Sequence, residues 1–348
     1  MFNDQYKPLS IRRIGIIGSG VAGLSAGLQL QARGASVTLF EKSRGPGGRL
    51  ASKRVDGVDH TNSTVDMGAQ FFTLRNPRFR SLLDERAYAE WPGRLRYENG
   101  QGDWEDFRQA TRYVGTPRMT AISRALAAHL TINNDVRVAK LLRDDLGWHV
   151  IDADGHDHGA FDSVIMTMPP AQSQALLYAS DCPQLAGVLA RDVEAMQACW
   201  AVAAYFARPL ELPYEGFQCR CEALQWAGND SSKPGREGPG EWWVLHGQPD
   251  WSEAHRDDSA DAVTASLLAD FNRVTGLVTA PTQLLSHRWL YAKSKTRRGP
   301  GHYWFADDRL AVIGDWLTGG RVEGAFDSAA SLCDHWYDEG LIGSEPSN

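Results

Sequence analysis

The feature that most constrains this chain is Gly18-Ser19-Gly20-Val21-Ala22-Gly23, a G-x-G-x-x-G turn placed directly after the β-branched run Ile14, Ile16 and Ile17. A strand that enters such a turn and leaves it as a helix is the opening unit of a dinucleotide-binding fold. Gly18 allows the sharp turn, Gly20 lets the backbone approach a pyrophosphate, and Gly23 lets the helix lie close to the strand. The helix, expected over Leu24 to Arg33, then presents its first N–H groups to that phosphate. Gly27 costs roughly 0.5–1 kcal/mol against alanine in a helix interior, so close approach to a neighbouring strand is expected there. Ser36 to Glu41 reads as a buried strand that ends in an acid about 20 residues past the glycines, where a ribose hydroxyl would be bound. Glu41 is therefore the expected adenosine-side anchor.

The glycine turn does not by itself choose between NAD and FAD. A second one follows, Arg44-Gly45-Pro46-Gly47-Gly48-Arg49-Leu50-Ala51-Ser52. Its consecutive glycines expose backbone N–H groups, and its two arginines can neutralise a diphosphate through charge-assisted hydrogen bonds. This stretch resembles the R-x-x-G-G-R-x-x-S/T signature of the flavin amine oxidase and glutathione-reductase-like FAD superfamily. Asp66-Met67-Gly68-Ala69-Gln70 resembles that superfamily's acid-x-Gly-Ala element. Gly314-Asp315, followed by Arg321-Val322-Glu323-Gly324-Ala325 and Ser328, resembles its closing motif. Within the superfamily the chain looks most like the renalase branch, the bacterial members especially. The segment His287-Arg288-Trp289-Leu290-Tyr291-Ala292 also resembles that branch.

The resemblance implies an α/β architecture: a Rossmann-like FAD domain interleaved with an α+β substrate domain on a mixed or antiparallel sheet. The FAD domain is expected over 11–75, 116–170 and 305–340, and the substrate domain over 76–115 and 171–304. Non-covalent FAD is implied as the cofactor. The residues that would hold it are Gly18, Gly20, Ala22, Gly23, Glu41, Lys42, Arg44, Gly48, Arg49, Met67, Gly68, Ala69, Val138, Gly314, Asp315, Arg321, Val322 and Ala325. Asp315 would accept from a ribityl hydroxyl or lie near the pyrophosphate, and the helix beginning near Val322 would aim its positive end at the pyrimidine edge of the flavin.

Composition narrows the function. A net charge of −7 excludes a general nucleic-acid binder, and five cysteines in 348 residues form no disulfide framework, which fits a reducing cytoplasm. Met1 to Ser10 is too polar for a signal peptide, and no metal-site spacing is present. Ile14 to Leu30 carries no charge for 17 residues, but its glycines and polar residues fit the strand–turn–helix rather than a membrane span.

Several further elements are readable. Asn76-Pro77 is expected to open a helix through Arg86, and Thr116-Pro117 a helix to Leu130 with the threonine as cap. Val136 to Leu142 and Trp148 to Asp152 form a hairpin pattern. A buried strand is expected over Phe161 to Met168, with strands over Met196 to Phe206 and Trp242 to His246 and a helix over Ala260 to Thr275. Asn229 to Gly240 reads as an exposed, mobile loop.

No second G-x-G-x-x-G provides a pyridine nucleotide domain. Resemblance to renalases implies oxidation of 2- or 6-dihydro isomers of NAD(P)H to NAD(P)⁺, with dioxygen reoxidising the flavin to give hydrogen peroxide. The ring nitrogen lone pair expels the hydride, so the protein must mainly hold the donor carbon in place. Gln70, His246 and Trp289 are the candidates for that work. A basic run of Lys293, Lys295, Arg297 and Arg298 would either attract dinucleotide phosphates or be solvated loop charge. Two alternatives stay open: a flavin amine oxidase with an aromatic cage and a lysine such as Lys293, and a flavoprotein whose FAD is structural and whose role is binding.

Overall fold

The computed structural model describes residues 11–55, 63–107, 111–296 and 299–343. The chain divides into two compact units and passes between them four times. The first comprises residues 1–48, 126–195 and 296–348; the second comprises 49–125 and 196–295. Among the described residues no helix is long and apolar enough to cross a membrane.

The first unit is built on a six-stranded sheet in the order His302–Phe305, Leu310–Ile313, Ser163–Met166, Arg13–Ile17, Ser36–Phe40, Thr131–Asn133. All pairs are parallel except the one at the His302–Phe305 edge. The strands Ser163–Met166 and Leu310–Ile313 are buried along their whole length, as expected of strands covered on both faces, and Ile14, Ile16, Leu39, Val164, Ile165 and Val312 are fully buried. The helices Val21–Ala32 and Val322–Asp338 pack against each other on this sheet. Gly27 is closely packed, but mainly against the Leu130 side chain, which a Cβ would approach to 3.1 Å, and less against Leu39 of the neighbouring strand, at 3.4 Å. Val138–Asp144, Gly147–Asp152 and Asp157–Phe161 form a separate antiparallel meander, so the predicted hairpin acquires a third strand. The single strand expected over Phe161 to Met168 is split at Asp162, whose carboxylate accepts from the Arg12 and Arg13 backbone.

The second unit is built on a seven-stranded mixed sheet in the order Gln283–Ser294, Met196–Phe206, Glu241–Gly247, Leu224–Asn229, Gly216–Gln218, Leu95–Glu98, Trp104–Asp106. The Met196–Phe206 strand is buried along both faces because its alternate side chains serve two cores. Trp200, Val202, Ala204 and Phe206 pack with Trp243 and with Val263, Leu267 and Phe271 of the helix Ala260–Thr275. Ala201, Ala203 and Tyr205 pack with Val65, Met67 and Trp242, and Trp289 lies against this second cluster. The fold class expected from the sequence, a Rossmann-like parallel sheet interleaved with a mixed-sheet unit, is the one observed.

Three local expectations need correction. The helix from Pro77 ends at Leu82, and Asp84 then caps a separate short 3-10 turn. The expected Thr116 cap does not form: the helix begins at Thr120, and the Thr116 N–H donates instead to the Ala87 carbonyl. The loop Asn229 to Gly240 is not exposed throughout. Asn229, Asp230 and Lys233 are buried, and only Gly235 and Glu237 to Pro239 face solvent.

Candidate active site

The first unit contains a glycine cradle at an uncapped helix end, suited to a backbone-bound anion. Gly18 has φ of +103°, and a Cβ on Gly23 would lie 2.1 Å from the Gly18 carbonyl oxygen, so neither position accepts a side chain. Gly20 is different. A Cβ there would meet nothing within 4 Å, so packing within the protein does not demand glycine. The open space lies at the N-terminus of the Val21–Ala32 helix, which has no side-chain cap and no acid in its first turn. Unsatisfied N–H groups and an uncompensated helix dipole make that space suited to phosphate.

The second glycine turn is joined to the first, since the Gly47 N–H donates to the Ser19 carbonyl at 3.1 Å. Gly48, at φ of +52°, brings its backbone against Gly20, and Gly45 again faces open space. Glu41 ties the end of its own strand to the first turn. Its Oε2 accepts from the Ser19 N–H at 3.0 Å and the Ser19 hydroxyl at 2.8 Å, and its Oε1 accepts from the Ser43 N–H at 2.8 Å. A carboxylate has about four lone-pair sites, so Glu41 keeps acceptor capacity for a ribose hydroxyl. Lys42 and Arg44 are exposed beside it, and Val138 begins the adjoining meander.

The closing motif belongs to the same unit. Gly314 ends the strand Leu310–Ile313 and donates to the Ser328 hydroxyl at 2.9 Å. Asp315 is buried, and its carbonyl accepts from the Gly320 N–H at 2.8 Å, which closes the loop before the Val322–Asp338 helix. Arg321 occupies the cap position of that helix without a side-chain cap bond, so a second uncapped N-terminus, with Val322 and Ala325 in its first turn, is present in this unit.

The predicted substrate-side residues gather in the second unit around one backbone oxygen. The Met67 carbonyl accepts from Trp289 Nε1 and from His246 Nε2, each at 3.1 Å. Burial pushes the His246 imidazole down to about 4, with the Lys233 charge adding to the effect, so the ring is neutral at pH 7. Gly68 must be glycine because a Cβ would lie 2.1 Å from the Arg49 carbonyl oxygen, and the Ala69 N–H donates to that oxygen at 3.1 Å. Trp289 stacks edge-on against His287 with ring centres 4.3 Å apart. Gln70 is buried and occupied: its amide donates to the Asp66 carbonyl at 2.5 Å and the Gly68 carbonyl at 3.1 Å, and its oxygen accepts from Lys233 at 3.2 Å. Of the basic run, Lys295 lies 3.6 Å from Asp250 and Lys293 is exposed, whereas Arg297 and Arg298 fall outside the described residues.

Sequence reasoning missed a buried group of four charges: Asp66, Asp230, Lys233 and Arg236. Lys233 Nζ lies 2.6 Å from Asp230 Oδ1 and 3.9 Å from Asp66 Oδ2, and Arg236 is hydrogen-bonded to Asp66. Burial works against the Asp66 charge, but Lys233 and Arg236 hold its carboxyl below the usual carboxylate range. The one available signal was Asp230 and Lys233 three residues apart in a stretch otherwise read as solvated.

The comparisons with known proteins agree with this geometry. Residues 16–86 match the NAD(P)-binding Rossmann-like domain, and residues 86–335 match the flavin containing amine oxidoreductase family. Hydroxyneurosporene desaturase of Rubrivivax gelatinosus is 42% identical over 69 residues, which are 20% of this chain and 12% of that protein. Protoporphyrinogen oxidase 2 of Arabidopsis thaliana is 36% identical over 88 residues, 25% of this chain and 16% of that protein. Both matches thus span a small part of the relatives' length. Among solved structures, putrescine oxidase bound to putrescine superposes with a TM-score of 0.68 at 14% identity, covering 95% of this chain and 100% of that one, a likeness of fold alone. The family match runs through most of the chain, the open glycine cradle fits a dinucleotide, and the chain belongs to the flavin-containing amine oxidoreductase family, with FAD as its cofactor.

Proposed function

We propose that this protein is an oxidase that takes a hydride from a dihydronicotinamide dinucleotide reduced at the 2- or 6-position and returns NAD(P)⁺. Bound FAD supplies the two-electron acceptor, and the electrons pass on to dioxygen to give hydrogen peroxide. The observation that carries the reading is the Met67 carbonyl with its two ring donors. Trp289 and His246 are held rigidly by those bonds, with a flat indole edge and a neutral imidazole. A dihydronicotinamide expels hydride with its own ring nitrogen lone pair, so the chain's residues need only orient the donor ring and exclude water. Aligned reactants gain several kcal/mol in this way. Glu41, the two glycine turns, Arg44, Arg49, Asp315 and Arg321 are assigned to the cofactor, as are Met67, Gly68 and Ala69. In this reading residues 11–75, 116–170 and 305–340 serve FAD. We also assign the protein to a reducing cytoplasm, a placement supported by five cysteines that form no disulfide.

A second reading, oxidation of a small amine, is favoured by the family match and by the fold shared with putrescine oxidase. Anaerobic stopped-flow mixing separates the two. The 2- and 6-dihydro isomers should bleach the flavin within about a second, and 4-dihydro NADH far more slowly, because misplacing the donor carbon forfeits the alignment gain. Rapid bleaching by putrescine or another small amine, with both isomers inert, would replace the first reading with the second.

A further inference from the structure

One buried group has no task in the reading above. The Lys233 side chain has no exposed surface; its ammonium donates to Asp230 Oδ1 at 2.6 Å and to Gln70 Oε1 at 3.2 Å, and lies at the ion-pair distance of 3.9 Å from Asp66 Oδ2. It also lies 5.7 Å from the centre of the Trp91 ring, on which it adds a cation–π contact. Asp66 and Gln70 bracket Met67-Gly68-Ala69. At one end Asp66 accepts from the Ser52 hydroxyl, the Met119 N–H at 3.2 Å and Arg236, while its own N–H donates to Asp230 at 3.3 Å. At the other end the Gln70 amide returns to the carbonyls of Asp66 and Gly68. Lys233 donates to the Gln70 bracket and is ion-paired with the Asp66 bracket.

Stability does not explain such a cluster. Removing two ammonium- and carboxylate-sized ions from water is costly, and well-packed apolar side chains of the same volume often stabilise as much or more. What a set of directed bonds does provide is a single backbone position, and the backbone held here is the one whose Met67 carbonyl orients Trp289 and His246.

We propose that Lys233 is a positioning residue, which through Gln70 and Asp66 sets the Met67–Ala69 backbone, and with it Trp289 and His246, for work at the flavin. The proposal rests on the assignment of Met67, Gly68 and Ala69 to the cofactor. Lys233→Met alone leaves an unpaired buried carboxylate and risks misfolding, so the informative variant is Asp230→Asn combined with Lys233→Met, which removes both charges together. The measurements are the visible absorption spectrum and the dye-equilibrated midpoint potential of the bound FAD, neither of which requires a substrate. The double variant is expected to keep FAD but to shift both, as is Trp289→Phe, which removes one donor to the Met67 carbonyl. If Trp289→Phe shifts the flavin and the folded double variant does not, the positioning role is wrong while the cofactor assignment stands. If neither shifts it, the assignment of this segment to the flavin fails and the proposal with it. A double variant unable to fold would make the cluster a folding element and equally overturn the proposal.

Discussion

Gly23, Glu41 and His246 illustrate three different ways in which one residue bears on this site. Gly23→Ala would place a methyl 2.1 Å from a carbonyl oxygen that is itself fixed by the Gly18 turn. Relief requires moving the helix, so a loss of at least about 1–3 kcal/mol in stability and most of the FAD content is expected, read by thermal melting and flavin absorbance. Glu41→Ala removes two hydrogen bonds to Ser19 of the first glycine turn and one to Ser43, and with them the acceptor proposed for the ribose. A loss of roughly 1–3 kcal/mol in FAD binding, on the order of ten- to a hundredfold in Kd, is expected by flavin fluorescence titration. Unchanged affinity would show that the ribose is held elsewhere. His246 titrates at about 4 in the folded chain against an ordinary 6.5, so the unfolded chain takes up this proton first as the pH falls. The associated stability is complete above pH 6.5, is lost progressively down to about pH 4, and declines no further below that. The His246 ring retains some solvent contact, so the expected loss is about 1–2 kcal/mol. His287 and His302 are lowered to about 4 by burial as well, so His246→Gln should flatten, and not abolish, the acid limb of a denaturation series. The glycine identities were legible because a tight backbone turn demands that residue type. The consumption of Gln70 by its own segment was not, because an amide's partners depend on what the fold brings to it.

At the scale of elements, regular strands and long helices follow from periodicity, whereas ends and loops follow from partners. Met196–Phe206 and Ala260–Thr275 have the bounds expected from their patterns, since an unbroken apolar run and a serine-capped amphipathic stretch each have one good solution. The Thr116 cap and the Asn229–Gly240 loop do not follow expectation. In the first, the Thr116 backbone N–H is taken up by the Ala87 carbonyl and the helix starts one turn later, at Thr120. In the second, a polar composition that ordinarily signals solvent turns inward, because Asp66 and Gln70 offer Asp230, Lys233 and Arg236 partners that water would otherwise supply. Single removal of Lys233 as Met is expected to destabilise by about 3–5 kcal/mol, and the paired variant with Asp230→Asn by much less. Chemical denaturation of both, compared with wild type, measures the difference. Equal losses would indicate that Lys233 acts through packing and not through charge.

For the whole molecule, the purified protein should be yellow, and acid precipitation should leave the flavin in solution, as expected of a non-covalent cofactor. Retention of colour in the pellet would contradict that. Limited proteolysis should cut within Gly276 to Ala280, where Val278 is 96% exposed, before any cut in Asn229 to Lys233. Early cleavage in the latter would mean that the buried charge cluster opens readily. The sequence by itself determined the Rossmann-like half, because a pyrophosphate bound by backbone admits only glycines at fixed spacing between a buried strand and a helix. It determined the cofactor class too, through the second turn and the closing motif, which are local and therefore written in consecutive residues. Only the tertiary structure decided the second unit's interior. Trp289 and His246 are 43 residues apart in sequence, and Met67 is more than 170 from either, yet both rings donate to one carbonyl. Such a meeting is set by sheet register and by a buried ion cluster, and neither leaves a pattern in any single stretch of the chain.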